Sequence, residues 1–191
     1  MNHSTPGAAS RHLRSAFGLL SVVGALALPL SSAFAQVAPA AKPCEPAPAR
    51  AVSVQGTVEA RRVAQPEWQP VKLNDTFCPG DSIRVQERSR ADIALLNQSV
   101  LRLNANSTIT VEAPKEERTG VVDLIRGAAH FFSRGPNSLD VKTPFTIAGV
   151  RGTEFFISVE PDKTLLTVFD GTVVAENPDG SLSLKIGRAH V

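Results

Sequence analysis

One histidine is the first candidate for chemistry in this sequence. His130 lies between Ala129 and Phe131 in an apolar run, and a hydrolase of the Ser-His-Asp type needs an imidazole within hydrogen-bond reach of its nucleophile. No serine in the sequence stands in the glycine-flanked elbow pattern that exposes such a nucleophile. We therefore expect His130 to be a packed or surface strand residue and the protein not to be an enzyme.

Pairs of carboxylates offer a second route to catalysis, because two of them suffice for glycoside hydrolysis. Asp162, Asp170 and Asp179 each stand beside proline or glycine, where aspartate is favoured because its side chain bonds the backbone of a turn. No glycine-rich phosphate loop precedes a helical pattern. The sequence therefore predicts neither catalytic residues nor a cofactor.

The two cysteines, Cys44 and Cys78, could form a disulfide or remain free thiols. In an exported chain an oxidising compartment favours the bridge. It would close a loop of about 35 residues, which stabilises a fold by about 3.8 kcal/mol on the chain-entropy account. A structural zinc site needs four ligands, and these cysteines together with His130 do not supply them, so no metal site is expected.

The segment VKTPFTIAGVRGTEFF alternates apolar and polar side chains from Phe145 and resumes the alternation at Phe155. Between these two residues, Gly149 and Gly152 interrupt the pattern and indicate a bulge or a close approach of two backbones. Pro144 lacks an N–H donor and should open its strand or lie on an edge. The segment is therefore predicted to form a strand, a kink and a second strand.

Arg151 and Glu154 flank Thr153 at this kink. They could present a charge pair to a partner protein. Alternatively, they could pair with each other or with Asp140 and Lys142 and so fix the kink between the strands. We expect the structural role, because such kinks often record backbone geometry and surface ion pairs contribute only about 0–1 kcal/mol.

A Thr-Pro pair, a short apolar run, the sequence VRGTEF and a turn at Asp170-Gly171 follow one another here, and together they resemble the signature of the FecR-like domain family. The resemblance covers residues 52–185. It implies an all-β extracytoplasmic module that is not an enzyme. The best-known members pass a signal from an outer-membrane iron-siderophore receptor to a cytoplasmic sigma factor, and many others are secreted. The candidate interaction or structural motif comprises Thr143, Pro144, Gly149, Arg151, Gly152, Thr153, Glu154 and Phe155.

The elements that must position this motif are short strands separated by turn residues, and no ten-residue helical period free of glycine and proline occurs after the N-terminal segment. Residues 51–185 are therefore predicted to form an all-β domain of about a dozen strands, in two packed, mostly antiparallel sheets or a rolled, sandwich-like sheet. The expected strand pairs are residues 91–96 with 100–103 and residues 121–125 with 128–132, with a further hairpin turn at Asp170-Gly171. The expected large core residues are Phe131 or Phe132, Phe145, Phe155, Phe169 and Trp68.

Residues 1–35 have the pattern of a cleaved secretory signal, with two arginines before an apolar run and the small residues Ala33 and Ala35 at its end. The apolar run is shorter than the about 20 residues of a spanning helix and contains Pro29, so no stable membrane span is expected after cleavage. Residues 36–50 are a proline- and alanine-rich linker. Residues 186–191, IGRAHV, resemble the translation of a sequencing adapter, or they are a short polar tail.

The charge balance bears on possible partners. Removing the signal takes two arginines and no carboxylates, so the 20 basic and 18 acidic residues become 18 and 18, and nucleic acid is not an expected partner. We expect a periplasmic or secreted module that binds a protein or a cell-envelope polymer. The alternative is a signal-transduction component linking an iron-siderophore receptor to a sigma factor, although the fifteen residues before the apolar run are too few for the sigma-binding segment of the best-known relatives.

Overall fold

The computed structural model describes residues 44–113, 119–133 and 138–190, and the predicted secretory signal lies outside this part of the chain. The described residues form sixteen strands, and none of them belongs to a helix long and apolar enough to cross a bilayer. The predicted all-β class is confirmed. The strands are β1 (Ala49–Gln55), β2 (Val58–Arg62), β3 (Gln65–Pro70), β4 (Thr76–Phe77), β5 (Ser82–Val85), β6 (Arg90–Leu95), β7 (Val100–Leu103), β8 (Thr108–Val111), β9 (Thr119–Phe132), β10 (Ser138–Lys142), β11 (Ile147–Arg151), β12 (Glu154–Val159), β13 (Thr164–Asp170), β14 (Val173–Asn177), β15 (Gly180–Leu184) and β16 (Gly187–His190).

The strands form two sheets that share β9. Sheet A has the order β4-β1-β6-β7-β9-β12-β13-β16, and sheet B has the order β3-β2-β5-β8-β9-β10-β11-β14-β15. All of these neighbours are antiparallel except β9 and β10, which are parallel. The inner faces of both sheets contribute to one hydrophobic core, so the prediction of two packed, mostly antiparallel sheets is confirmed.

Period-two alternation explains how the sheets face the core. On β6 and β10 every second side chain is buried, as expected for strands with one covered face. Phe77, Phe131 and Phe155 are the largest fully buried side chains, and the rings of Phe131 and Phe155 stack across β9 and β12 with centroids 4.9 Å apart. Phe132 and Phe145 are only half-buried. Phe77 was not predicted as a core residue, because β4 has only two residues and therefore shows no alternation of apolar and polar side chains.

Two predicted core residues point away from the core. Phe169 is 50% exposed, because Val168 takes the inward position on β13. Trp68 is half-buried on β3, and the guanidinium centres of Arg61 and Arg84 lie 5.1 and 4.2 Å from its ring centroid. Cation–π contacts of this kind stabilise an aromatic ring on the surface. The predicted core role is therefore wrong for both residues.

The predicted pairing of residues 121–125 with 128–132 is also wrong, because both belong to the single long strand β9. Gly127, with φ +83°, bends this strand so that its first half pairs in sheet B and its second half in sheet A. The buried hydroxyl of Ser107 fixes the bend: it donates to the carbonyl of Ala128 (2.8 Å) and accepts from the N–H of Ala128 (2.9 Å). The Arg-Gly dipeptide therefore marks a bend with a bulge, not a reversal.

The other two predicted hairpins have different outcomes. Residues 91–96 and 100–103 form the hairpin of β6 and β7, as predicted. The turn at Asp170-Gly171 does not close a hairpin, because β13 pairs with β12 and β16 whereas β14 pairs with β11 and β15. The chain leaves sheet A and enters sheet B at this turn.

The disulfide Cys44–Cys78 is present in the structure, with Cα atoms 5.6 Å apart. The N–H of Cys44 donates to Sγ of Cys78 (3.0 Å), and the N–H of Cys78 donates to the carboxylate of Asp81 (2.9 Å). Asp81 is buried and also accepts from the N–H of Val63 (3.0 Å). The bridge therefore ties the first described residue to a turn that a buried carboxylate already orders.

We expect Gly127→Ala to lower the free energy of unfolding by about 2 kcal/mol or more, because a positive φ strains an L-residue and overpacking adds to it. A Cβ at this position would lie 2.5 Å from Cα of Ser107. Gly149→Ala is the matched control, since its Cβ would meet nothing closer than 3.7 Å. Urea denaturation measures both. Equal stabilities of the two variants would show that the bend does not require glycine.

Candidate functional site

The motif begins with a turn that Thr143 organises. Its N–H donates to the carbonyl of Thr146 (2.8 Å), and its hydroxyl oxygen accepts from the N–H of Thr146 (3.0 Å). Pro144 occupies the second position of this turn, where a fixed φ is favourable and an N–H is not needed. β10 ends at Lys142 and β11 begins at Ile147, so Pro144 lies in the turn between the two strands and does not itself open a strand.

Gly149 lies in a regular part of the ladder, opposite Asp140 on β10 and Val174 on β14. Neither pairing shows a register shift there, so the predicted bulge or close approach is wrong at Gly149. The interruption lies at Gly152, which has φ +60° and separates β11 from β12. The two glycines differ in backbone conformation, since only Gly152 has a positive φ. That difference cannot be read from the sequence.

Two of the segments in which the chain passes from one sheet to the other contact each other. We call residues 151–154 and 170–173 the sheet crossings. The buried hydroxyl of Thr153 lies 3.2 Å from the carbonyl oxygen of Arg151 and 3.1 Å from that of Thr172, so it bridges both crossings. Gly171, with φ +85°, is required by this packing, because a Cβ there would lie 2.9 Å from the carbonyl oxygen of Gly152. Phe155 follows directly and is fully buried in the core.

The charged residues of the motif do not pair as predicted. Oε1 of Glu154 lies 3.1 Å from Nε2 of His130, not near Arg151. Lys142 contacts Glu112 instead, at 3.9 Å. Arg151 is exposed and forms no ion pair with another described residue. The kink is therefore fixed by Thr153 and the glycines, and not by a charge pair.

Sequence analysis missed a surface that the structure brings together on the outer side of sheet A. We call His130, Phe132, Phe156 and Phe169 the aromatic face. The ring centroid of His130 lies 4.2 Å from that of Phe132, 5.2 Å from that of Phe169 and 6.4 Å from that of Phe156. His130 and Phe156 are directly opposite each other on β9 and β12. Phe131, which lies between His130 and Phe132 on β9, is buried on the opposite side of the sheet.

An ion pair borders the aromatic face. Arg102 lies opposite His130 on β7, and its guanidinium donates to both carboxylate oxygens of Asp92 at 2.9 and 3.1 Å. The same guanidinium lies 5.8 Å from the ring centroid of Phe132. The face therefore offers aromatic rings beside an oriented arginine, and both residue types are enriched in protein interfaces.

His130 lies among aromatic rings and beside one carboxylate. The described residues contain no group of three His, Cys, Asp or Glu side chains placed to hold a metal ion. His130 is a half-exposed strand residue, as predicted from the sequence. The arrangement can make contacts with a partner through its aromatic rings.

The part of the chain that matches a known family lies within this fold. Residues 81–174 match the family model described as "FecR protein". The sheet crossings and the aromatic face fall inside this segment. The FecR resemblance found in the sequence is therefore confirmed over residues 81–174.

Two solved structures show a similar fold. Both are crystal structures of a putative anti-sigma factor from Parabacteroides distasonis ATCC 8503, at 2.50 and 1.65 Å resolution. Each has a TM-score of 0.50 and 18% sequence identity, over 58% of this chain and 58% of the solved chain. At this identity the similarity concerns the fold alone. No curated protein matches the sequence.

We expect Thr153→Val to lower the free energy of unfolding by about 1–3 kcal/mol, because two carbonyl oxygens lose their shared hydroxyl in a buried place. Thr167→Val is the matched control, since Thr167 is half-exposed on β13. Thermal and urea unfolding measure both variants. A Thr153→Val protein as stable as the control would mean that the hydroxyl does not hold the crossings together.

On the outer side of sheet B, burial raises the pKa of Asp123, and the nearby Glu112 raises it further while Lys142 opposes both effects. A carboxyl group whose pKa is raised in the folded state destabilises the fold at pH values above that raised pKa. At pH values below the ordinary pKa of aspartate it has no such effect. We therefore expect Asp123→Asn to be more stable than the parent at neutral pH, with the difference vanishing as the pH falls below about 4. Urea titrations between pH 3 and 7 test this, with the exposed turn variant Asp162→Asn as control. A difference that grew on acidification would contradict it.

Proposed function

We propose that this protein works outside the cytoplasm as a non-enzymatic FecR module that binds a protein partner in a signal-transduction system. The match of residues 81–174 to the FecR family carries this proposal. The two similar folds belong to proteins described as putative anti-sigma factors, which supports a regulatory role over a purely structural one. In its more specific form, the proposal is that the protein takes part in the pathway of the best-known FecR relatives, which leads from an outer-membrane iron-siderophore receptor to a sigma factor.

The aromatic face supports binding by contact. Phe169 is 50% exposed, and the half-buried rings of Phe132 and Phe156 continue the same surface. Exposed aromatic rings that gain burial at an interface contribute strongly to affinity, and an arginine beside them is typical of such sites. Arg102 has this position.

Two features support a location in the periplasm or outside the cell. Residues 1–35 carry the pattern of a secretory signal. The disulfide Cys44–Cys78 suits an oxidising compartment, because cytosolic reductants keep most thiols reduced. Both features agree with the extracytoplasmic position that the FecR resemblance implies.

Deletion of the gene should change the transcription of a sigma-factor-dependent set of genes, and the wild-type gene should restore it. We expect Phe169→Ser to restore it poorly, because it removes the most exposed ring of the aromatic face. Leu182→Ser, which removes a 44% exposed apolar side chain from β15, is the matched control and should restore it fully. Transcript sequencing measures the response.

The competing function is a scaffold that binds a cell-envelope polymer. In that case the deletion would leave transcription unchanged, and purified envelope polymer would co-sediment with the protein after protease treatment of the polymer. That outcome would overturn the signalling proposal.

A further inference from the structure

A tryptophan and two arginines lie together on the outer side of sheet B, near its edge strand β3. The guanidinium centre of Arg84 lies 4.2 Å from the ring centroid of Trp68, and that of Arg61 lies 5.1 Å from it. Nε of Arg84 donates to Oε2 of Glu59 (2.8 Å), which also accepts from Nε2 of Gln86 (2.6 Å). Arg84 is therefore held in position by an aromatic ring and a carboxylate.

A third arginine continues this surface across the sheet. Thr108 on β8 lies opposite Arg84 on β5 and opposite Arg126 on β9, and its hydroxyl accepts from Nε of Arg126 (3.3 Å). We call Arg61, Trp68, Arg84 and Arg126 the arginine strip. Neighbouring strands lie about 4.8 Å apart, so the strip spans about 19 Å from β3 to β9.

Positive charge predominates within the strip. Arg84 pairs with Glu59, whereas Arg61 and Arg126 are exposed and form no ion pair with another described residue. Three guanidinium groups are therefore compensated by one carboxylate. A local excess of this kind attracts an anionic partner even where the charge of the whole chain is nearly balanced.

An apolar cleft of about 340 Å³ lies at the β9 end of the strip, and Arg126 lines it. Its apolar wall consists of Ile125, Pro144, Phe145, Val159 and Pro161. Glu160 also lines the cleft, but its carboxylate pairs with Nζ of Lys163 at 3.5 Å. The cleft is within the size range of ligand sites and offers an apolar wall beside the guanidinium group of Arg126.

We propose that the arginine strip binds an extended acidic segment of a protein partner, and that an apolar side chain of this segment enters the cleft beside Arg126. Carboxylates suit the strip, because a guanidinium group forms two parallel, charge-assisted hydrogen bonds with a carboxylate. About six extended residues cover the about 19 Å of the strip. A polypeptide can place a neutral residue beside Glu59, whereas the phosphates of a nucleic acid follow one another without a gap. The inference goes beyond the proposed function, since the strip lies on sheet B and the aromatic face on sheet A.

Three end-blocked peptides test the two parts of this site in the full chain. GLEEGEEG has acidic residues for the strip and one leucine for the cleft, GLQQGQQG lacks the charges, and GSEEGEEG lacks the apolar side chain. Trp68 is the single tryptophan of the chain, so its fluorescence reports binding at the strip. We expect GLEEGEEG to change this fluorescence saturably, with at least tenfold weaker binding of GLQQGQQG and at least threefold weaker binding of GSEEGEEG. No change with GLEEGEEG, or equal binding of either control peptide, would overturn the proposal.

Variants of the protein separate the strip from the overall charge. Arg61→Gln with Arg126→Gln removes two exposed cations of the strip, and thermal unfolding shows whether the fold is kept. Arg151→Gln with Lys185→Gln is the matched control, because it removes the same charge from two exposed positions outside the strip. We expect at least tenfold weaker binding of GLEEGEEG by the first variant and binding within twofold of the wild type by the second. Equal weakening in both would show that only net charge matters and would refute the strip.

A nucleic acid or another polyanion is the remaining occupant. Single-stranded DNA or heparin that bound at least tenfold more tightly than GLEEGEEG, and lost this affinity in the Arg61→Gln, Arg126→Gln variant, would assign the strip to a polyanion and overturn the acidic segment. The peptide assay is independent of the transcription assay. Peptide binding without a transcriptional response would support the strip and refute the signalling function, and the reverse result would refute only the strip.

Discussion

The two sheets share one core, and this creates the constraint on which the rest of the fold depends. Wherever the chain passes from one sheet to the other, its backbone polar groups must be paired in a place that water does not reach. Ser107 satisfies this need at the bend of β9, and Thr153 satisfies it at the sheet crossings. Both hydroxyls are buried beside a glycine that has a positive φ and no room for a Cβ. Two short polar side chains and two glycines therefore order the backbone at two of the places where the chain passes between the sheets.

This constraint changes the meaning of the VRGTEF motif. Its threonine and its glycine, Gly152, serve the crossings, and its phenylalanine fills the core. Only Arg151 is left exposed without an ion pair to a described residue. The residues of this motif therefore serve mainly to set the backbone conformation. The aromatic face, which is the surface proposed to bind a partner, lies on the outer side of sheet A. The glutamate of the motif connects the two, because it contacts His130 on that side.

The aromatic face lies on three neighbouring strands of sheet A, because His130 and Phe132 belong to β9, Phe156 to β12 and Phe169 to β13. The FecR match of residues 81–174 includes all of these residues. The buried stack of Phe131 and Phe155 lies directly beneath the aromatic face and keeps it rigid.

The sequence by itself determined the all-β class, the hairpin of β6 and β7 and the FecR resemblance, and it favoured a bridge between Cys44 and Cys78, because alternation, turn residues and cysteine number are local or countable properties. Only the tertiary structure decided that Gly127 bends one strand, that Gly171 turns the chain into the other sheet, and that Phe169 and Trp68 face outward. An alternating strand has two faces, and its sequence does not say which of them the second sheet will cover. A glycine likewise permits a reversal, a bend or a crossing, and the choice depends on distant residues such as Ser107 and Thr153 that must pair its neighbours' backbone.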